Sequence, residues 1–167
     1  SGLLGQYLNI FLSKENEILT IFNKHIGNCK EYKSAQLDIR DYEGLRKVFK
    51  SFNPELVLHT AAISDTIINS TVSTKDVYDI NVKSTERIAN LCKEFNAKMI
   101  YTSTDLVYAG YRGSYLREDA KLIPVSLYAE TKLMGELKIQ QTFDNYIILR
   151  TALLFGFGLN HSTCHFQ

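Results

Sequence analysis

Tyr128 and Lys132 stand four residues apart in Leu127-Tyr128-Ala129-Glu130-Thr131-Lys132-Leu133. On a helix, that spacing puts both side chains on one face. A free phenol titrates at about 10, so it is a poor acid or base at neutral pH. A cation held beside it favours phenolate and lowers that pKa, which makes the tyrosine a usable proton donor and acceptor. Reversible reduction of a carbonyl needs such a pair. The spacing is common by itself, because exposed helices often carry both residues. Its weight depends on what accompanies it.

Thr102-Ser103-Thr104-Asp105 lies upstream, where a strand is expected to end. A hydroxyl there can bond a substrate oxygen and align it with the tyrosine. Hydroxyl residues also simply suit strand ends. Gly2 and Gly5, in Gly2-Leu3-Leu4-Gly5, read as the second and third glycines of a G-x-x-G-x-x-G turn. Glycine there lets the backbone approach a pyrophosphate while helix N–H groups face the anion. A tight turn with no ligand is the plainer alternative. Asp38, followed by Ile39, can accept from an adenine amino group while Ile39 packs on the ring; a loop aspartate is the other reading. Where an acid would hold a ribose 2′-hydroxyl, the chain has Asn23-Lys24-His25. The missing acid and the available cations lean toward a 2′-phosphate, and so toward NADP over NAD.

Other chemical side chains point elsewhere. His59 reads as a satisfied core histidine and Asn81 as a polar core or helix-bending residue. Glu118 and Asp119 read as solvated loop carboxylates. His161, Cys164 and His165 offer three soft ligands with no visible fourth, so no metal is expected.

The elements that must aim these residues follow from hydrophobic periodicity. A short helix starts at Gly2 and carries Ile10, Phe11 and Leu12. Strands are expected at Glu17–Asn23 and Ala35–Asp38, then a helix capped by Asp41 and carrying Leu45, Val48 and Phe49. Pro54 closes that helix, and Leu56–Ala62 reads as a buried strand. A polar loop over Ile63–Ser73 precedes a long helix from about Lys75 to Phe95. Lys98–Ser103 is a strand, a loop through Gly110, Gly113 and Pro124 follows, then the Tyr128 helix and a last strand at Tyr146–Arg150. Alternating strands and helices imply parallel βαβ units and an α/β doubly wound sheet. In such sheets ligands sit beyond the carboxyl ends of the strands.

The chain has 167 residues, 45% of them apolar and 22% charged, with a formal net charge of +1. That is the make-up of an ordinary soluble globule of about one domain. The balanced charge argues against nucleic acid as a partner. No apolar run approaches a membrane span and no leader pattern opens the chain, so no membrane association is expected. Cys29, Cys92 and Cys164 suit small core residues in a reducing, cytoplasmic compartment. The chain opens inside a glycine loop and stops soon after a strong strand, which reads as a fragment.

Taken in order, Gly2-Leu3-Leu4-Gly5-Gln6, Leu37-Asp38-Ile39, His59-Thr60-Ala61-Ala62, Asn81-Val82, Ser103-Thr104-Asp105, Tyr128 and Lys132 resemble the extended short-chain dehydrogenase/reductase family over essentially the whole chain. Within it, Ser103-Thr104-Asp105-Leu106-Val107-Tyr108, Glu118-Asp119, Thr131-Lys132-Leu133-Met134-Gly135-Glu136 and Leu149-Arg150-Thr151 look most like the dTDP-4-dehydrorhamnose reductase branch. The resemblance implies one NAD(P)-binding Rossmann-like domain over 1–167, truncated at both ends, without its first strand and its C-terminal substrate region. It implies hydride from NADPH or NADH to the C4 ketone of a nucleotide-linked 6-deoxy sugar. Tyr128 would supply the proton, Lys132 would lower its pKa and hold the nicotinamide ribose, and Thr104 would orient the carbonyl. Ala62, Ile63 and Ser64 would line the cofactor, and Asp105 and Leu153 the sugar. A homodimer is compatible with this reading. Sister dehydratases carry a second carboxylate where this chain has Leu106, and epimerases lack Asp105. A regulatory subunit that binds cofactor without turnover is the alternative from another class.

Overall fold

The computed structural model describes residues 2–64, 72–108 and 115–156. The chain divides into two bodies, Ser1–Phe52 with Leu153–Gln167, and Asn53–Ala152.

In the first body, helix α1 (Leu3–Leu12) is followed by strand β1 (Thr20–Phe22), which pairs in parallel with β2 (Ser34–Gln36), Ile21 opposite Ala35. Both strands are shorter than their sequence signals. Lys33 and Glu17 form an exposed ion pair beside them. The buried residues of α1 are Gln6 and Asn9, whereas Phe11 is 62% exposed. Asn9 accepts from the Thr20 hydroxyl and donates to the Asn28 side chain at 3.0 Å, and Asn28 donates to the Gln6 carbonyl at 2.9 Å. These bonds tie the helix to the 3₁₀ turn Gly27–Glu31, which the apolar pattern did not announce. Helix α2 (Tyr42–Phe52) buries Leu45 and Phe49, one turn apart. Asp41 caps it as expected, accepting from Gly44 N at 3.0 Å. A side chain at position 44 would collide with Asp41 and Leu37.

In the second body, β3 (Leu56–His59), β4 (Lys98–Thr104) and β5 (Tyr146–Thr151) form a parallel sheet in that order. Met99, Tyr101 and Ser103 alternate along the buried face of β4, the period of a strand. The expected long helix is present in three pieces: α3 (Thr74–Tyr78), a π-helical turn (Asp79–Ser84) and α4 (Thr85–Glu94). Ser73 starts it with a capping box to Asp76, which satisfies two orphan N–H groups. Helix α5 (Leu127–Thr142) packs on α4, and Val77, Val82, Ile88, Leu91 and Ile139 join Met99 and Tyr101 in the core. Helices α2 and α4 both stop at an asparagine in left-handed conformation, Asn53 (φ 49°) and Asn96 (φ 54°). Such residues end helices by turning the chain away while the last carbonyls are recaptured; here Ala97 N returns to the Cys92 carbonyl at 2.8 Å.

Three expectations are corrected. The strand predicted over Leu56–Ala62 ends at His59, because Ile63 is drawn off to a helix side chain described below. The Lys75–Phe95 helix is broken by the π turn. The apolar stripe of α1 is not its buried face. Most of the predicted loop over Ile63–Ser73, Gly110, Gly113, and the His161, Cys164 and His165 group lie outside the described residues. Among those described, no helix is long and apolar enough to cross a membrane. The parallel α/β character expected from the sequence is the one observed.

Candidate active site

Helix α5 begins at Ser126, whose hydroxyl accepts from Ala129 N at 3.2 Å. The next turn presents Tyr128, and the turn after it presents Lys132, as the spacing predicts. Lys132 is only 2% exposed, and its Nζ lies 4.0 Å from the centre of the Tyr101 ring. Burial pushes its pKa down to about 7, against the charge of Glu136.

Thr104 ends β4 and is buried; its hydroxyl accepts from Leu106 N at 3.2 Å and donates to Asp105 at 3.3 Å. Asp105 opens a 3₁₀ turn, Asp105–Val107, that packs against α5. Its carboxylate reaches Tyr128 electrostatically: burial first, then Asp105, hold the Tyr128 phenol above its ordinary pKa. Lys132 is not among the causes that set this direction. Thr104, Asp105, Tyr128 and Lys132 thus converge at the carboxyl end of β4 and the first two turns of α5.

Asn81 organises the neighbouring loop. It sits in the π turn, where its side chain accepts from Ile63 N at 2.8 Å and donates to Ile63 O at 3.0 Å. The amide thereby pairs with a backbone residue as a strand would. Its Nδ2 also donates to Thr131 Oγ1 at 3.0 Å, and Thr131 donates to the Tyr128 carbonyl at 2.9 Å. One residue therefore fixes the segment Ala62–Ser64 and the turn that carries Tyr128. Behind it, Thr85 donates to the Asn81 carbonyl at 2.8 Å and pairs with His59 Nε2 at 2.9 Å. His59 is a core histidine, as expected. Burial, with Lys132 as a lesser contributor, holds its pKa down at about 3.

A second support stands one turn beyond Lys132. Buried Glu136 accepts from Ser103 and from Arg150, whose Nη2 lies 2.7 Å from Oε2. Arg150 also donates to the Tyr108 hydroxyl at 2.8 Å and to the Glu118 carbonyl at 2.9 Å. This joins the end of β4, α5, β5 and the loop after β4. Charge-assisted bonds of this kind are the strong ones, and they raise the Arg150 pKa further. Sequence reasoning missed Glu136 and Arg150; the available signal was a carboxylate continuing the Tyr128–Lys132 face by another four residues.

The other predicted residues are placed as follows. Gly2 precedes α1 with an extended backbone and no side-chain cap, and a Cβ there would meet nothing within 4 Å. Leu3, Leu4 and Gly5 form the first turn of α1. Asp38 accepts from Arg40, at 2.6 Å for Nη2, and from Asn23 at 3.4 Å; the Arg40 bonds lower its pKa. Ile39 follows it. Leu153 falls past β5, in the first body, and is 63% exposed. Within the second body, Asn81 and Thr131 link Ile63 to the turn that carries Tyr128, and Asp105 reaches Tyr128 across the end of β4.

The chain has relatives among known proteins. Residues 1–164 match the model of the RmlD substrate binding domain. The chain is 26% identical over 122 residues to dTDP-4-dehydrorhamnose reductase of Aggregatibacter actinomycetemcomitans, covering 73% of this chain and 41% of that protein. It is 30% identical over 121 residues to methionine adenosyltransferase 2 subunit beta of Xenopus laevis, covering 72% and 35%. A solved dTDP-4-dehydrorhamnose reductase from Bacillus anthracis, in complex with NADP, superposes with a TM-score of 0.67 at 24% identity, covering 82% of this chain and 54% of that one. The chain thus spans about half or less of the length of the proteins it matches. By the match over nearly all of its residues, this chain belongs to the RmlD substrate binding domain family.

Proposed function

We propose that the protein carrying this chain is an NAD(P)H-dependent reductase of a nucleotide-linked 4-keto-6-deoxy sugar, with the chain forming its dinucleotide-binding domain. The observation that carries this reading is the convergence of Thr104, Asp105, Tyr128 and Lys132 in a chain of this family. The uncapped N-terminus of α1 and the open space at Gly2 fit a pyrophosphate. Gly2, Leu3, Leu4 and Gly5 would hold that group, Asp38 and Ile39 the adenine, and Ala62, Ile63 and Ser64 the middle of the dinucleotide. When bound, the dinucleotide supplies the hydride, with NADPH favoured by Asn23-Lys24-His25.

The chain supplies the proton and the alignment. A phenol held above its ordinary pKa is protonated at neutral pH, which is the form that donates. Tyr128 gives that proton to the carbonyl oxygen, Thr104 orients the same oxygen, and Lys132 holds the nicotinamide ribose and faces the phenolate left behind. Asp105 and Leu153 would contact the sugar. Asp105 disfavours phenolate, so it keeps the tyrosine protonated before transfer and eases return of a proton to it afterwards. Leu106 after Asp105 leaves no second carboxylate for dehydration.

The test follows loss of NADPH absorbance with dTDP-4-keto-6-deoxymannose, using the natural polypeptide that carries this sequence. Tyr128→Phe is expected to slow oxidation by about 10²–10⁴-fold, the usual worth of a positioned acid. Oxidation that persists in that variant overturns the assignment. A second reading, a cofactor-binding regulatory subunit, draws on the likeness to methionine adenosyltransferase 2 subunit beta. NADPH binding without oxidation across a panel of keto-sugars would favour it.

A further inference from the structure

We propose that Tyr101 is a positioning residue for Lys132, holding the lysine ammonium on the face of its buried ring; this deepens the reading above and rests on the role given there to Lys132. A cation over an aromatic face is attracted by the ring quadrupole, most strongly where both are desolvated. Tyr101 is fully buried in the middle of β4, and Lys132 Nζ lies 4.0 Å from its ring centre. No carboxylate among the described residues comes within ion-pair distance of Lys132. Glu136, the nearest candidate on its own helix, is engaged by Arg150 and Ser103.

The ring is fixed from its other sides. The His59 ring lies 5.5 Å away at 34°. Gly135 admits the ring edge: a Cβ there would stand 2.5 Å from the Tyr101 hydroxyl and 3.1 Å from the Asn81 carbonyl. The glycine three residues beyond Lys132 therefore lets α5 settle onto Tyr101 closely enough for the ammonium to rest on it.

The charged and titratable groups around Lys132 are few. His59 comes from β3 and is held neutral at pH 7. Tyr101 comes from β4, Asp105 from the turn that follows, and Tyr128 and Glu136 from α5. Arg150 on β5 is bound to Glu136. On the helices packed against α5, Tyr78 is bonded to Glu130, Asp79 pairs with Lys83, and Glu86 pairs with Lys138. The ring face is thus the principal partner of this ammonium.

The test replaces Tyr101 by phenylalanine and by its mono-, di- and trifluorinated forms, which keep nearly the same shape while draining the ring face. The titration of Lys132 Nζ is followed by NMR without substrate, with Lys132→Met assigning the signal. Tyr101→Phe is expected to titrate as wild type, and the midpoint to fall stepwise with each fluorine, by about one pH unit across the series. In the intact enzyme, any limb of the pH–rate profile that depends on Lys132 should move in the same direction. A midpoint that ignores fluorination, or one that shifts as far in Tyr101→Phe as in the trifluoro form, overturns the proposal. The titration needs no turnover, so it stands or falls separately from the reductase assignment.

Discussion

The two bodies of this chain hold their helices by opposite means. In Ser1–Phe52, α1 turns polar Gln6 and Asn9 inward and is fastened by neutral side-chain hydrogen bonds to Thr20 and Asn28, beside strands of only three residues. In Asn53–Ala152, an apolar core of α4, α5 and β4 surrounds the buried side chains of His59, Lys132 and Glu136. The difference is informative. Neutral bonds hold an element that does no proton chemistry, each at about 1 kcal/mol net. Buried charge is tolerated only where apolar packing is abundant enough to offset its desolvation, and it is placed where pKa values need to be moved.

Removing one partner of the buried ion pair should break the contrast most severely. Glu136→Ala leaves Arg150 without its carboxylate and is expected to destabilise the protein by about 3–5 kcal/mol. Denaturant unfolding measures it, and a loss below about 1 kcal/mol would show that the pair is no more than a surface bridge. His59 sharpens the contrast through pH. Its folded pKa of about 3 lies below the ordinary value of 6.5. Between those values the unfolded chain binds the proton that the folded one refuses. Its contribution is therefore whole above 6.5 and is lost as pH falls toward 3, at about 1.4 kcal/mol per pH unit. Wild type minus His59→Asn, measured by urea unfolding at several pH values, should show that slope; a flat difference counts against a neutral buried imidazole. The smallest effect belongs to the first body. Asn9→Ala should cost about 1–2 kcal/mol, because Thr20 and Asn28 lose a partner in a partly buried place, with no pH dependence of its own.

Much of this was legible in the sequence. The strand and helix order follows from period-2 and period-3.6 patterns, and Tyr128 and Lys132 share a face because four residues span about one helical turn. Asp41 acts through near neighbours, so local chemistry suffices. The unreadable parts depend on distant partners. Asn81 meets Ile63 eighteen residues away, and Glu136 meets Arg150 across fourteen. The direction of the Tyr128 pKa depended on which neighbours burial would silence. A motif gives the tyrosine and the lysine, but only packing says that the lysine lies on the Tyr101 ring and that burial, then Asp105, raises the phenol pKa.

The contact of Thr85 with both His59 and Asn81 has a consequence for proton traffic. A hydroxyl has one hydrogen, and here it is committed to the Asn81 carbonyl. With the Thr85 hydrogen on that carbonyl, the hydroxyl oxygen is left to accept, and the imidazole tautomer that fits carries its proton on Nε2. The chain of bonds runs one way, from sheet to helix, and ends on a carbonyl that can only accept. A conducting relay must be able to reverse every link, and this one cannot. It is a strut with a direction.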